Sequence, residues 1–173
     1  MDKKRYFGLW MKGNKMSVYH IVINPAGASG RTNECWDIIK KELDTIGVEY
    51  KVHLSTLEHG IKDIMKELTS NDERVNIILI GGDGSMNLAV NGIVNFEKTY
   101  LGLIPCGSGN DLAKSLGIHG TEIECLHHIL NDQHGKDLDI GVLTYHTRYD
   151  EKGNKVSDEP YSRRYNISSG IGY

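Results

Sequence analysis

Residues 77–87 read "IILIGGDGSMN": an apolar run enters Gly81 and Gly82, and a carboxylate, Asp83, then stands between glycines. The run is of strand length, whereas Met86, Ala89, Val90, Ile93 and Val94 after it repeat at helical spacing. The chain therefore turns from a buried strand into a helix through a glycine-rich loop. The same grammar recurs on both sides. "VYHIVI" (18–23) is a buried strand closed by Asn24-Pro25 and a Gly/Ser stretch; Trp36, Ile39, Leu43 and Ile46 then mark a helix that Gly47 ends. Residues 48–54 alternate as a strand, and Ile61, Ile64, Met65 and Leu68 mark a helix over 58–69. "VNIILI" (75–80) and "TYLGLI" (99–104) are the third and fourth strands, with helices near 110–116 and 122–131. Strands alternating with helices predict βαβ units, hence a three-layer α/β fold with a parallel sheet covered on both faces.

Parallel sheets of this kind bind ligands beyond the carboxyl ends of their strands. Each unusual loop falls at such an end: "NPAGASG" after the first strand, "GGDG" after the third, "IPCGSGND" after the fourth. That edge is the expected site. Glycines that open a helix let backbone N–H groups approach a phosphate at the positive end of the helix dipole. "GGDG" alone is equally a tight turn, and no lysine follows in the pattern of a P-loop. A carboxylate facing phosphates at about 4 Å is repelled by roughly 4 kcal/mol at an effective dielectric near 20. On this reading Asp83 persists there with Mg²⁺ between the charges, or as acceptor of a proton from an attacking hydroxyl. Both point to phosphoryl transfer.

From about residue 135 the texture changes. "KDLDIGVLTYHTRY" and "RRYNISSGIGY" read as two strands joined by a polar loop over 150–160, the beginning of a second, β-rich lobe. Three units are thus expected: an extension over 1–15 without periodic pattern, disordered and dispensable; an α/β lobe over 16–134; and an incomplete β lobe over 135–173. Unpaired strands in the last unit leave open edges, so self-association into a homo-oligomer is allowed for.

Composition sets limits. With 173 residues, 39% hydrophobic and 25% charged, the chain is in the ordinary globular range. A net charge of −3 argues against a nucleic-acid partner, and no apolar run approaches the length of a membrane span. Cys35, Cys106 and Cys125 are odd in number and widely spaced, which fits a reduced cytoplasm and offers no metal quartet. Cys106 has no recognisable base beside it.

"GGDGSMNLAVNG", "LGLIPCGSGNDLAKSLGI" and "INPAGASGR", in chain order, resemble the catalytic domain of the diacylglycerol kinase and sphingosine kinase group of lipid kinases. The resemblance covers residues 18–173 and implies an ATP-binding α/β lobe, similar to that of NAD kinases, followed by a β-sandwich lobe. It implies Mg²⁺, a membrane lipid as acceptor of the γ-phosphoryl group, and a cytoplasmic enzyme that works at the bilayer surface. Carried over, Asn24, Pro25, Gly27, Gly30 and Arg31 would meet ATP, with Thr56 near the nucleotide. Gly81, Gly82, Gly84, Ser85 and Asn87 would cradle phosphates, helped by Ser108 where the family has threonine. Asp83 would be the catalytic or metal-organising carboxylate, and Asp111 would join the Mg²⁺ and water network. Four of these have a plainer reading: Asn24 as the cap of a turn before Pro25, Thr56 as a solvent-side cap of the 58–69 helix, Asp111 as a charge at a helix start, and Asp83, the hardest to dismiss, as turn filler. Leu88 departs from the family's common glutamate.

NAD kinases also carry GGDG, but "IPCGSGNDLAKSLGI" is the lipid-kinase form of its loop. Phosphofructokinases carry GGDGS, yet nothing here resembles their sugar-phosphate segments. Bacterial members resemble one another in drawing a catalytic acid and Mg²⁺ ligands from the second lobe, at positions past the last residue here. The expectation is therefore a kinase piece that turns over poorly by itself, or a nucleotide-binding module without turnover.

Overall fold

Seven consecutive buried residues, Val75–Gly81, form β3, the strand around which the rest assembles. β1 (Tyr19–Ile23) lies on one side of it and β4 (Thr99–Pro105) on the other, while β2 (Tyr50–Leu54) closes the far edge beyond β1. All four strands are parallel, and the register sets Ile23 beside both Leu54 and Ile80, and Gly81 beside Pro105. The carboxyl ends of the strands therefore line up. The computed structural model describes residues 18–165 apart from 132–134 and 136. The expectations for residues 1–15, and for the final strand beyond 165, lie outside the described residues.

The strand order explains the layers. From β1 the chain steps outward to β2, then crosses back to β3 and continues to β4. With right-handed crossovers, that reversal sends the connecting helices to opposite faces. α1 (Arg31–Ile46) and α5 (Glu122–Asn131) pack on the face of Ile21, Ile23, Ile78, Ile80 and Ile104. α2 (Ile61–Leu68), α3 (Asp83–Gly92) and the short α4 (Asp111–Ser115) cover Val22, Ile77, Leu79 and Leu103 on the other. Ile77 to Ile80 lie four in a row within the core because their strand is covered on both faces. Each such side chain contributes about 1.5–3 kcal/mol by leaving water.

Several boundaries differ from the sequence reading for local reasons. Gly47 ends α1 as expected, at φ 71°, with its N–H donated to the carbonyl of Leu43. Ile46, on the last turn, stays 40% exposed, and the buried face is instead Thr32, Cys35, Ile39 and Leu43. α2 begins only at Ile61, because Thr56 and His59 close a turn first (Thr56 N–H to His59 C=O, 2.9 Å). α3 stops at Gly92; Ile93 remains buried, but Val94 turns outward at 53% exposure. The fold also brings together two cysteines that are distant in sequence. Cys35 on α1 and Cys106 after β4, 71 residues apart, lie side by side, while Cys125 is buried elsewhere. Nothing in their sequence spacing brings them together; the stacking of α1 beside the end of β4 does.

Beyond α5 the arrangement becomes antiparallel. β5 (Gly141–Tyr145) pairs with β8 (Tyr161–Tyr165), and β6 (Arg148–Tyr149) pairs with β7 (Lys155–Ser157). β7 lies in the stretch expected to be loop. Its turn is built by Asp150, whose carboxylate accepts the N–H groups of Lys152 and Asn154 at 2.9 and 2.8 Å, with Gly153 at φ 82°. β8 leans on α3 through Asn91 and Arg164.

Candidate functional site

Of the three loops at the carboxyl edge, the first and third are folded by their own side chains, and the second is held by its neighbour. In the first, Asn24 Oδ1 accepts the N–H of Ala26 at 3.1 Å, and its carbonyl accepts the N–H of Gly27 at 2.9 Å. Thr32 Oγ1 donates to the Gly27 carbonyl at 3.1 Å, and Asn33 Nδ2 to that of Pro25 at 3.4 Å. A single 3-10 turn over Gly27–Gly30 results, and Gly30, at φ 93°, delivers Arg31 as the exposed first residue of α1. The cap reading of Asn24 is thus the geometry found.

The second and third loops touch backbone to backbone. A Cβ added at Gly82 would lie 2.9 Å from Gly107 Cα, and one at Gly107 would lie 2.7 Å from Gly82 Cα. The Gly81 carbonyl accepts the N–H of Cys106 at 2.9 Å, and a Cβ at Gly81 would meet Ser85 at 2.7 Å. Only glycines permit this approach. Asn110 closes the third loop on itself: its Oδ1 accepts the Gly107 N–H at 2.9 Å, and its Nδ2 donates to the Gly107 carbonyl at 2.7 Å. Asn110 sits at φ 52°, a left-handed conformation that asparagine tolerates better than most side chains.

Asp83 bridges these loops. Its Oδ2 accepts the backbone N–H of Asp111 at 3.0 Å and its Oδ1 that of Leu112 at 3.1 Å. The sequence reading allowed Asp83 only a metal or a hydroxyl as partner. The structure supplies a third: two orphan amides at the start of α4, which a carboxylate satisfies well. A carboxylate has about four lone-pair sites, so two remain for other work. Asp111 itself is exposed, with Lys114 Nζ 3.4 Å from its Oδ1. A Cβ added at Gly109 would lie 3.2 Å from Asp83 Oδ2 and 3.8 Å from Asp111 Oδ2, so the two carboxylates flank one glycine.

Gly84 is exposed, with open space where a side chain would go, and Ser108 is exposed near the tip of the third loop. Asn87 stands one turn further along α3 and accepts from Asn91 Nδ2. Thr56 is exposed in the loop after β2 and accepts the His59 N–H at 3.0 Å, so it caps a turn and not the following helix, whose N-cap is Gly60; Ser55 N–H, donated to the Ile23 carbonyl at 2.9 Å, holds that loop beside the first. Arg31 lines a cavity of about 230 Å³ together with Asn110, Lys114, Glu122 and Cys125, on the α1 and α5 side of the third loop. Asn110 and Lys114 are thus additions to the expected residues. The sequence signal for Asn110 was its place directly after glycine and before a helix-opening aspartate.

Reversal of strand order between β1 and β3, with loops gathered at their carboxyl ends, defines a three-layer α/β protein with a topological switch point, the place where sheets of this kind bind ligands. Residues 18–143 match the family model of the diacylglycerol kinase catalytic domain, and the chain belongs to that family of lipid kinases. It is 32% identical over 131 residues to the diacylglycerol kinase of Bacillus subtilis, covering 71% of this chain and 41% of that protein. It is 25% identical over 107 residues to human sphingosine kinase 2, covering 58% and 16%. The crystal structure of a diacylglycerol kinase from Bacillus anthracis shares the fold at a TM-score of 0.60 and 24% identity, covering 77% of this chain and 45% of that one. The chain thus spans less than half the length of these relatives.

Proposed function

We propose that the chain carries the nucleotide half of an ATP-dependent lipid kinase, with the carboxyl edge of the β1–β3–β4 sheet as the seat of the phosphates. The observation that carries the reading is the contact between the Gly82 and Gly107 backbones, locked by Asp83 across to α4, next to the open position at Gly84. Such an edge offers backbone N–H groups and small residues to an anion. Mg²⁺ fits the donor set in a limited way. Asp83 and Asp111 flank Gly109, and among the described residues no group of three His, Cys, Asp or Glu side chains is poised for a metal. A cation here would take its remaining oxygens from phosphate and water, as Mg²⁺ commonly does. When bound, it would neutralise charge on the phosphates.

Asn24, Pro25, Gly27, Gly30 and Thr56 shape the neighbouring loops, and Arg31 supplies a fixed positive charge. Gly81, Gly82, Gly84 and Ser85 form the glycine turn, with Asn87 and Ser108 at its margins. Asp83 holds the two loops at one spacing and keeps two lone pairs for a cation or for the proton of the acceptor hydroxyl. Phosphoryl transfer depends mostly on such positioning. Among the described residues no helix is long and apolar enough to cross a membrane, so the lipid would be met at the bilayer surface.

The test has two parts: calorimetric titration with MgATP, and transfer from radiolabelled ATP to diacylglycerol or a sphingoid base in mixed micelles. Binding with transfer to a lipid hydroxyl supports the whole reading, and binding without transfer leaves a nucleotide module. Tighter binding of NADP(H) than of ATP would replace it with the NAD-kinase alternative.

A further inference from the structure

We infer that Asn91 is a positioning residue that ties the antiparallel sheet to the carboxamide of Asn87 at the phosphate edge; the inference rests on the nucleotide reading above. Asp83, Asn87 and Asn91 follow one another at four-residue spacing along α3, one stripe of a helix. At the far end of the stripe, Asn91 pairs with the main chain of Arg164 in both directions. Its Oδ1 accepts the Arg164 N–H at 3.0 Å, and its Nδ2 donates to the Arg164 carbonyl at 2.9 Å. Arg164 is paired with Val142 of β5 on the other side, so Asn91 acts as one residue of an added strand on the outer edge of β8.

This pairing fixes which way the Asn91 amide faces. Its oxygen must meet the Arg164 N–H, so its nitrogen is committed to donating, and its further acceptors are the Asn87 carbonyl at 2.8 Å and Asn87 Oδ1 at 2.9 Å. Two hydrogens serve three acceptors, so one is shared. Accepting at Oδ1 in turn fixes the Asn87 amide and leaves its own two N–H donors for another acceptor; at a phosphate edge that acceptor is an anionic oxygen. The strand is anchored where this matters. Arg164 Nη1 donates to the carbonyls of Ile93 and Val90 at 2.7 and 3.3 Å, and the guanidinium lies 4.8 Å over the Phe96 ring. Asn91 thus couples the seating of the second sheet to the orientation of Asn87.

A double-mutant cycle on the whole chain tests this: Asn87→Ala, Asn91→Leu and both together, each titrated with MgATP and each unfolded in urea. Because Asn91 acts through Asn87, Asn91→Leu weakens MgATP about fivefold, the size of one neutral hydrogen bond. It weakens it no further once Asn87 is replaced. Additive losses, or unchanged affinity in Asn91→Leu, overturn the inference. Where leucine disrupts folding, Asn91→Asp replaces it: the acceptor for the Arg164 N–H is kept and both donors are lost. A pure charge effect of that carboxylate would persist in the Asn87→Ala background, whereas a positioning effect would not. If the unmodified chain bound no MgATP, the nucleotide reading would fall first. The tie would then be judged by the side-chain amide signals of Asn87 in NMR spectra, which collapse toward random-coil positions in Asn91→Leu; signals that stay in place overturn it.

Discussion

At the scale of the residue, Gly82 and Gly84 are two glycines of one loop with opposite duties. A methyl at Gly82 meets the backbone of Gly107, which cannot rotate away, whereas one at Gly84 meets open space. Gly82→Ala should therefore destabilise the protein by about 1–3 kcal/mol, the usual cost of overpacking. Gly84→Ala should leave stability unchanged or raise it by up to about 1 kcal/mol, since alanine is the better helix former. It should nonetheless weaken MgATP binding, because the added methyl enters the exposed face. Urea unfolding and calorimetry on the pair decide this; a stable Gly82→Ala would refute the close contact. Asp83 needs the same separation of roles. In Asp83→Asn one amide of α4 still finds an oxygen, but the other faces an NH₂ group, at a cost of about 1–3 kcal/mol. Loss of activity in that variant speaks for catalysis only after the α4 amides are found still protected from exchange. The sequence marked Asp83 as unusual, yet its partners lie 28 and 29 residues away and no local pattern announces them.

At the scale of the element, the edge strand β2 is held to β1 partly by a titratable pair. His20 Nδ1 and His53 Nε2 are 2.9 Å apart and the rings stack at 5.1 Å, half-buried on the face that α2 covers. Burial first, then the charges of His53 and Lys51, hold the His20 imidazole below its ordinary value of 6.5. Burial and then Lys51 lower His53, with Glu67 opposing. For a histidine whose folded pKa is depressed, the unfolded chain binds more protons between the two pKa values, so stability rises with pH there. The contribution is complete above 6.5 and is lost as the pH falls below it. The melting temperature should thus decrease on acidification from about pH 7.5 to about 5.5, and His53→Phe should flatten that slope. An equal slope in the variant would clear the pair of any part in it. Strand and helix types were legible because apolar spacing dictates them: β3 is uninterrupted where helices cover both its faces, and α1 ends at a glycine. β7 was not, because three residues, Lys155, Val156 and Ser157, are too few to show a period, and the strand's existence depends on the Asp150 turn.

At the scale of the whole molecule, the two sheets differ in what holds them. The parallel sheet has a core on each face. β5 and β8 are largely exposed, and a two-stranded ribbon alone is at best marginally stable in water. Its seating on α3 concentrates in Arg164, whose guanidinium bonds the Ile93 and Val90 carbonyls and stacks over Phe96, and in the Asn91 pairing with its backbone. Arg164→Ala removes the guanidinium contacts and leaves the backbone pairing. Hydrogen bonds to a charged group contribute about 1.5–3 kcal/mol, and an exposed cation–π contact about 0.5–1 kcal/mol. A ribbon of marginal stability cannot absorb losses of that size, whereas β3 does not depend on them. Hydrogen exchange should therefore divide the molecule. In Arg164→Ala the β5 and β8 amides should exchange close to the rate of an unfolded chain, while those of β3 keep their protection. The freed edge of β8 should then raise self-association, visible in sedimentation at increasing concentration. Equal loss of protection in β3 and β8 would mean that the sheets unfold as one unit, and Arg164 would then support the parallel core itself.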